Sequence, residues 1–185
     1  NKEENMLLNA SIKNIKVTTN RKDLLKWIKE FYKDYNPAIF SKGLYLHGNF
    51  GTGKTYIIAA LINELKTKYN IRTEIIYFPE LLRNLKENLY TVSDKLNYLE
   101  NVDILLIDDL GAEKVTDWGR DEILGTILQT RMNKNMITFF TSNLTEDELL
   151  KHLSLTKDSE DLVKAKRILE RIKYLTDDFE LLGNN

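Results

Sequence analysis

Apolar residues along this chain alternate between short solid runs and longer stretches with helical spacing. The solid runs are Leu44-Tyr45-Leu46-His47, Thr73–Phe78, Ile104-Leu105-Leu106-Ile107 and Met136–Thr141. Each reads as a strand, and Ile104–Ile107 offers no polar face, as expected of a parallel strand covered on both sides. Residues 20–34 set Leu24, Leu25, Ile28, Phe31 and Tyr32 on one helical face, with Asn20 in position to cap the start and Asn36-Pro37 to end it. Residues 54–68 do the same with Ile57, Ile58, Leu61, Ile62 and Leu65. Helices are also expected over 80–89, 93–100, 119–133, 145–152 and 160–172, and the chain then ends in a short, extended piece. Strands alternating with helices predict an α/β fold, a parallel sheet with helices on both faces. Ligands of such sheets sit at the carboxyl ends of the strands. The polar clusters at 48–55, 108–109 and 141–143 all fall there.

The chain has 185 residues, which fits a single domain with a core of its own. There are no cysteines, so disulfides and cysteine metal sites are excluded. No apolar stretch reaches the roughly 18 residues that a membrane span needs. The start, Asn1-Lys2-Glu3-Glu4-Asn5, is polar and unlike a signal peptide, and a cytoplasmic location is expected. Because residue 1 is Asn rather than Met, residues 1–185 read as the carboxyl-terminal piece of a longer protein. The formal net charge of −1 gives no global attraction to nucleic acid.

The candidate chemistry begins at Gly48-Asn49-Phe50-Gly51-Thr52-Gly53-Lys54-Thr55, which fits the phosphate-binding P-loop in full, behind a strand and ahead of an amphipathic helix. Its glycines let backbone N–H groups wrap phosphate oxygens. Lys54 would reach the outer phosphates of ATP, Thr55 would ligate magnesium, and the helix N-terminus would add partial positive charge. Behind Ile104–Ile107 stand Asp108 and Asp109. Asp108 is expected to hold magnesium beside Thr55, and Asp109 to orient or deprotonate the attacking water. Asn143 closes the fourth strand, where it would meet the γ-phosphate or that water; the plainer alternative is a helix cap by Asn143 or Thr145. Lys164, Arg167 and Arg171 share one face of the helix at 160–172, with Leu162, Ala165, Leu169 and Ile172 on the other. That face is either ordinary solvated surface or the source of a transition-state cation.

Together, Gly48–Thr55, Leu105–Glu113, Phe139–Asn143 and Arg167–Ile172 resemble the DnaI/DnaC family of bacterial replicative helicase loaders, and nearly the whole chain shares in the likeness. The resemblance implies an AAA+ ATPase core that uses ATP and Mg2+ and works with a hexameric replicative DNA helicase, other primosomal proteins and, weakly, single-stranded DNA. It implies that Asn143 is the sensor-1 residue and Arg171 the arginine finger of a homo-oligomer, with Arg167 as the fallback. It makes Lys86, Tyr90 and Lys95 candidates for DNA contact. Two departures are expected: the amino-terminal helicase-binding domain is not present, and too few positions follow Arg171 for a carboxyl-terminal helical lid. Asp109 stands where AAA+ proteins usually carry Glu, so hydrolysis is expected to be weak or dependent on a partner. The rival readings are an IstB-like transposition helper, a nucleotide kinase and a switch that binds ATP without hydrolysing it. No acceptor site or arginine-rich lid supports the kinase.

Overall fold

The computed structural model describes residues 2–49, 51–156 and 158–183, with side chains from residue 5 onward. Phe50 lies outside the described residues. Five strands form one parallel sheet in the order β2-β3-β4-β1-β5. They are β1 (Gly43–His47), β2 (Thr73–Tyr77), β3 (Ile104–Asp108), β4 (Ile137–Ser142) and β5 (Thr176–Glu180). Tyr77 pairs with Asp108, Ile107 with Phe140, and His47 with both Ser142 and Glu180, so the carboxyl ends of the strands lie level.

Successive strand residues point to opposite faces, and the two faces have separate cores. Leu44, Leu46, Ile104, Leu106 and Phe139 pack against α1 (Lys2–Leu8), α2 (Lys22–Asp34) and α3 (Lys54–Lys68). Tyr45, Leu105, Ile107 and Phe140 pack against α4 (Phe78–Glu87), α5 (Val92–Asn101), α6 (Gly125–Asn133), α7 (Glu146–Leu153) and α8 (Ser159–Leu175). The expected α/β sheet with helices on both faces is the observed one.

Several local expectations are revised. The extended tail is a full strand, β5, which covers the free edge of β1. Asn20 does not cap α2: it lies in a 3-10 turn, Thr19–Arg21, and its side-chain amide donates to the Leu182 carbonyl. Phe78 is buried in the first turn of α4, ahead of Pro79, instead of ending β2. The helix ahead of α6 is a π-helix, Trp118–Leu124. On α8, Leu162 is exposed and Ile168 takes the buried place.

The π-helix carries Arg120 into the interior, where its guanidinium donates to Asp121 at 2.8 Å, Asp161 at 2.7 Å and the Leu153 carbonyl at 2.9 Å. Arg131 is fully buried. It donates to the carbonyls of Leu99, Val102 and Ile137 and to the Thr138 hydroxyl, beside the amino ends of β3 and β4. Both arginines brace the fold.

Candidate nucleotide site

The loop between β1 and α3 is held from both sides. At Gly48 an added Cβ would come within 1.8 Å of the Leu181 carbonyl, just past β5, so a larger residue is excluded. Gly53 heads α3 in a left-handed conformation, φ 80°, which glycine adopts without steric cost. Thr52 donates its hydroxyl to the Asn49 carbonyl at 3.0 Å. The buried Lys54 ammonium donates to the carbonyls of Gly48 at 3.0 Å and Asn49 at 2.8 Å and to Asn143 Oδ1 at 3.1 Å. Burial pushes the Lys54 pKa down, while Asp109 and Asp108 act to raise it. The first N–H groups of α3 have no partner within the helix and face the same loop.

Asp108 ends β3, and its Oδ1 accepts from the hydroxyls of Thr55 and Thr141, each at 2.5 Å. One residue on, Asp109 adopts φ 58°, an unusual conformation for a residue with a Cβ. Bonds to β4 hold it there: Asp109 N–H donates to Thr141 Oγ1 at 2.9 Å, Leu110 N–H to the Thr141 carbonyl at 2.9 Å, and Ser142 Oγ to the Leu110 carbonyl at 2.5 Å. Burial, and then the neighbouring Asp108, raise the Asp109 pKa, while the facing Tyr77 phenol lowers it. Thr145, not Asn143, caps α7, in a reciprocal box with Glu148; the Asn143 side chain is left to face Lys54.

These groups line one cleft of about 1320 Å³ that continues along α4 and α5 as far as Asn88 and Tyr98. The three polar clusters expected at the strand ends therefore meet. Arg171 is not among the lining residues. It is half-buried on α8, where Nη1 donates to the Gly125 carbonyl at 2.9 Å, and burial lowers its pKa. Arg167, by contrast, is exposed. Of the candidate DNA contacts, Lys86 and Tyr90 are exposed, and Lys95 lines the cleft with its ammonium over the Tyr98 ring.

Two residues at the site escaped the reading of the sequence. Tyr77 stands at the end of the edge strand, in register with Asp108; a polar aromatic at a strand's carboxyl end was the available signal. Arg21 donates to the Thr52 carbonyl at 2.7 Å from the turn ahead of α2, and nothing local in the sequence marks it.

The AFG1-like ATPase family matches residues 5–182. A crystal structure of DnaI superposes with a TM-score of 0.86 at 44% identity, over 96% of this chain and 93% of that one. The chain belongs to the AFG1-like ATPase family. It is 42% identical over 183 residues to the replicative helicase loader DnaI of Bacillus subtilis (strain 168), a match covering 97% of this chain and 58% of the relative. It is 29% identical over 132 residues to the replicative helicase loader DnaC of Escherichia coli (strain K12), covering 69% of this chain and 51% of that protein. The chain thus spans little more than half the length of the curated loaders it matches, and its fold is the AAA+ P-loop core that they share.

Proposed function

We propose that this chain is the ATPase domain of a replicative helicase loader, binding ATP with magnesium and hydrolysing it slowly. The observation that carries the reading is the likeness to DnaI running through a complete set of nucleotide residues. Gly48, Asn49, Phe50, Gly51, Thr52 and Gly53 would supply the backbone cradle, and Lys54 would exchange its bonds to loop carbonyls for phosphate oxygens. The Thr55 hydroxyl and Asp108 carboxylate are hard oxygen donors already in contact, which suits magnesium. Among the described residues no cluster of three or more acidic, His or Cys side chains forms a metal site of its own, so phosphate oxygens would complete the coordination. Bound magnesium would neutralise charge developing on the phosphates. Asp109 would orient the attacking water, and Asn143 would sense the γ-phosphate.

Arg171 would complete a neighbour's site as an arginine finger, releasing the Gly125 carbonyl to do so. The helicase, single-stranded DNA and further primosomal proteins would be the partners, with helicase contact made mainly by a domain upstream of residue 1. The test loads purified hexameric replicative helicase onto a single-stranded circle with the full-length protein. ATP should be required, and Lys54→Ala should abolish loading. Loading that proceeds equally with Lys54→Ala rejects the ATP-dependent role. For the finger, a mixture of Arg171→Ala and Lys54→Ala proteins should recover part of the activity that each lacks. No recovery rejects Arg171 as a residue acting between subunits.

A further inference from the structure

Glu113 is the one buried carboxylate among the described residues, 7% exposed, and the chemistry above leaves it unused. Its two oxygens face two different parts of the molecule. Oε1 accepts from the Gly111 backbone N–H at 2.7 Å, within the turn that begins at Asp109. Oε2 lies 2.7 Å from His152 Nε2, near the end of α7. That turn carries two left-handed residues, Asp109 and Gly111. An added Cβ at Gly111 would come within 2.7 Å of Leu144 Cδ1, so the turn sits hard against the segment leading into α7. Ser142 Oγ ties the two at their other end, donating to the Leu110 carbonyl at 2.5 Å and accepting from Leu144 N–H at 3.0 Å. Asn143, which holds Lys54, lies between these anchors.

We propose that Glu113 is a positioning residue for Asp109 and that its contact with His152 makes the Asp109 turn and α7 move as one unit. The bonds from Thr141 and Ser142 fix only the Asp109-Leu110 half of the turn, and a non-glycine residue at positive φ relaxes unless all its surroundings oppose it. Glu113 opposes it by fixing the Gly111 N–H and anchoring itself to a helix. Displacing α7 would then shift Asp109 relative to Lys54 and the rest of the phosphate cradle, which stay in place.

This inference rests on Asp109 acting in hydrolysis, so Asp109→Asn is measured beside Glu113→Gln, His152→Ala and His152→Gln, with kcat and ATP affinity determined for each. Glu113→Gln and His152→Ala should lower kcat about tenfold, equivalent to roughly 1.4 kcal/mol in the barrier, with ATP affinity unchanged within about twofold. His152→Gln keeps a donor toward Glu113 and should recover most of the rate. Unchanged kcat in the first two variants, with turnover abolished by Asp109→Asn, overturns the positioning role alone. Full turnover in Asp109→Asn overturns the reading of Asp109 itself. The His152 side chain is 23% exposed, so its variants should fold even where Glu113→Gln does not. A readout independent of turnover is NMR of the unmodified protein: magnesium with a non-hydrolysable ATP analogue should shift both the Gly111 amide and the His152 ring signals. In His152→Gln the Gly111 shift should persist, and in His152→Ala it should shrink. A His152 ring that does not respond to the analogue overturns the coupling.

Discussion

Two cations lie buried at opposite ends of the same sheet, and both are satisfied by carbonyl oxygens. At the amino ends of the strands, Arg131 spends its guanidinium on Leu99, Val102 and Ile137, three fixed acceptors from three segments, and on the Thr138 hydroxyl. At the carboxyl ends, Lys54 bonds two loop carbonyls and one side-chain amide beside an open cleft. Burial drives both pKa values down, that of Arg131 to about 9. The difference lies in what surrounds them. Arg131 meets a rigid fork of acceptors that nothing else fills, so its contribution is to stability. Lys54 is a flexible point charge with two carboxylates nearby and phosphate-sized space beside it, so its partners are exchangeable. Burial of a charge alone does not mark a functional site; the mobility and replaceability of its partners do.

The largest expected effect is therefore at the end without chemistry. Arg131→Met strands three buried carbonyls at about 1 kcal/mol or more each, so stability should fall by on the order of 3 kcal/mol. The melting temperature should then drop by roughly 10 °C, while ATP affinity in the folded protein stays within about twofold. A melting temperature close to that of the unmodified protein would erase the contrast. Lys54→Ala should do the reverse. Loss of the charge-assisted contacts should cost about 2 kcal/mol of ATP binding, roughly thirtyfold in affinity by titration. Its melting temperature without nucleotide should stay within about 2 °C.

Arg120→Met should fall between, at about 2 kcal/mol in a denaturant melt, because it strands the buried Leu153 carbonyl and the largely buried Asp161 carboxylate while its other partners can turn to water. Its partner Asp117 stands in solvent, with a side chain 78% exposed, and Asp121 is partly exposed at 29%. Smallest of all, Asn143→Ala should weaken ATP binding no more than about threefold, since the two carbonyls still hold Lys54. It should act on turnover instead, and single-turnover measurements separate the two.

The cleft end of this comparison was far easier to read from sequence than the other. A P-loop announces itself because every residue in it answers a local demand, and Asp108 and Asn143 follow once hydrophobic runs locate the strand ends. Arg131 has no such signal: its acceptors come from α5, the segment after it and β4, and only the assembled fold brings them together. β5 was legible only as an extended tail, not as a strand, for a related reason. Thr176-Asp177-Asp178-Phe179-Glu180 exposes much of its surface and lacks a solid apolar run, and it is a strand because β1 needs an edge partner. Asn20 fits a helix cap by residue type, yet the distant Leu182 carbonyl claims it. The pattern puts Arg171 on a face that is either solvated or the source of a transition-state cation, and only the close approach of Gly125 on α6, which draws it half inside, could not be read there.

The placement of β1 also bears on how the molecule is made. The strand that leads into the P-loop is synthesised early, but its neighbours in the sheet, β4 and β5, come from the last third of the chain. Both pairings are parallel and close long loops, which makes them slow steps in folding. The carbonyl pressed against Gly48 belongs to Leu181, almost the final residue described. On the ribosome, then, the phosphate loop cannot acquire its final shape until β5 and Leu181 have emerged. A nascent domain stalled short of β5 should leave its β1 edge open to chaperones or to strand pairing with other chains. Nucleotide retention would accordingly serve as a quality check on completion of this sheet, readable by arresting translation at successive lengths.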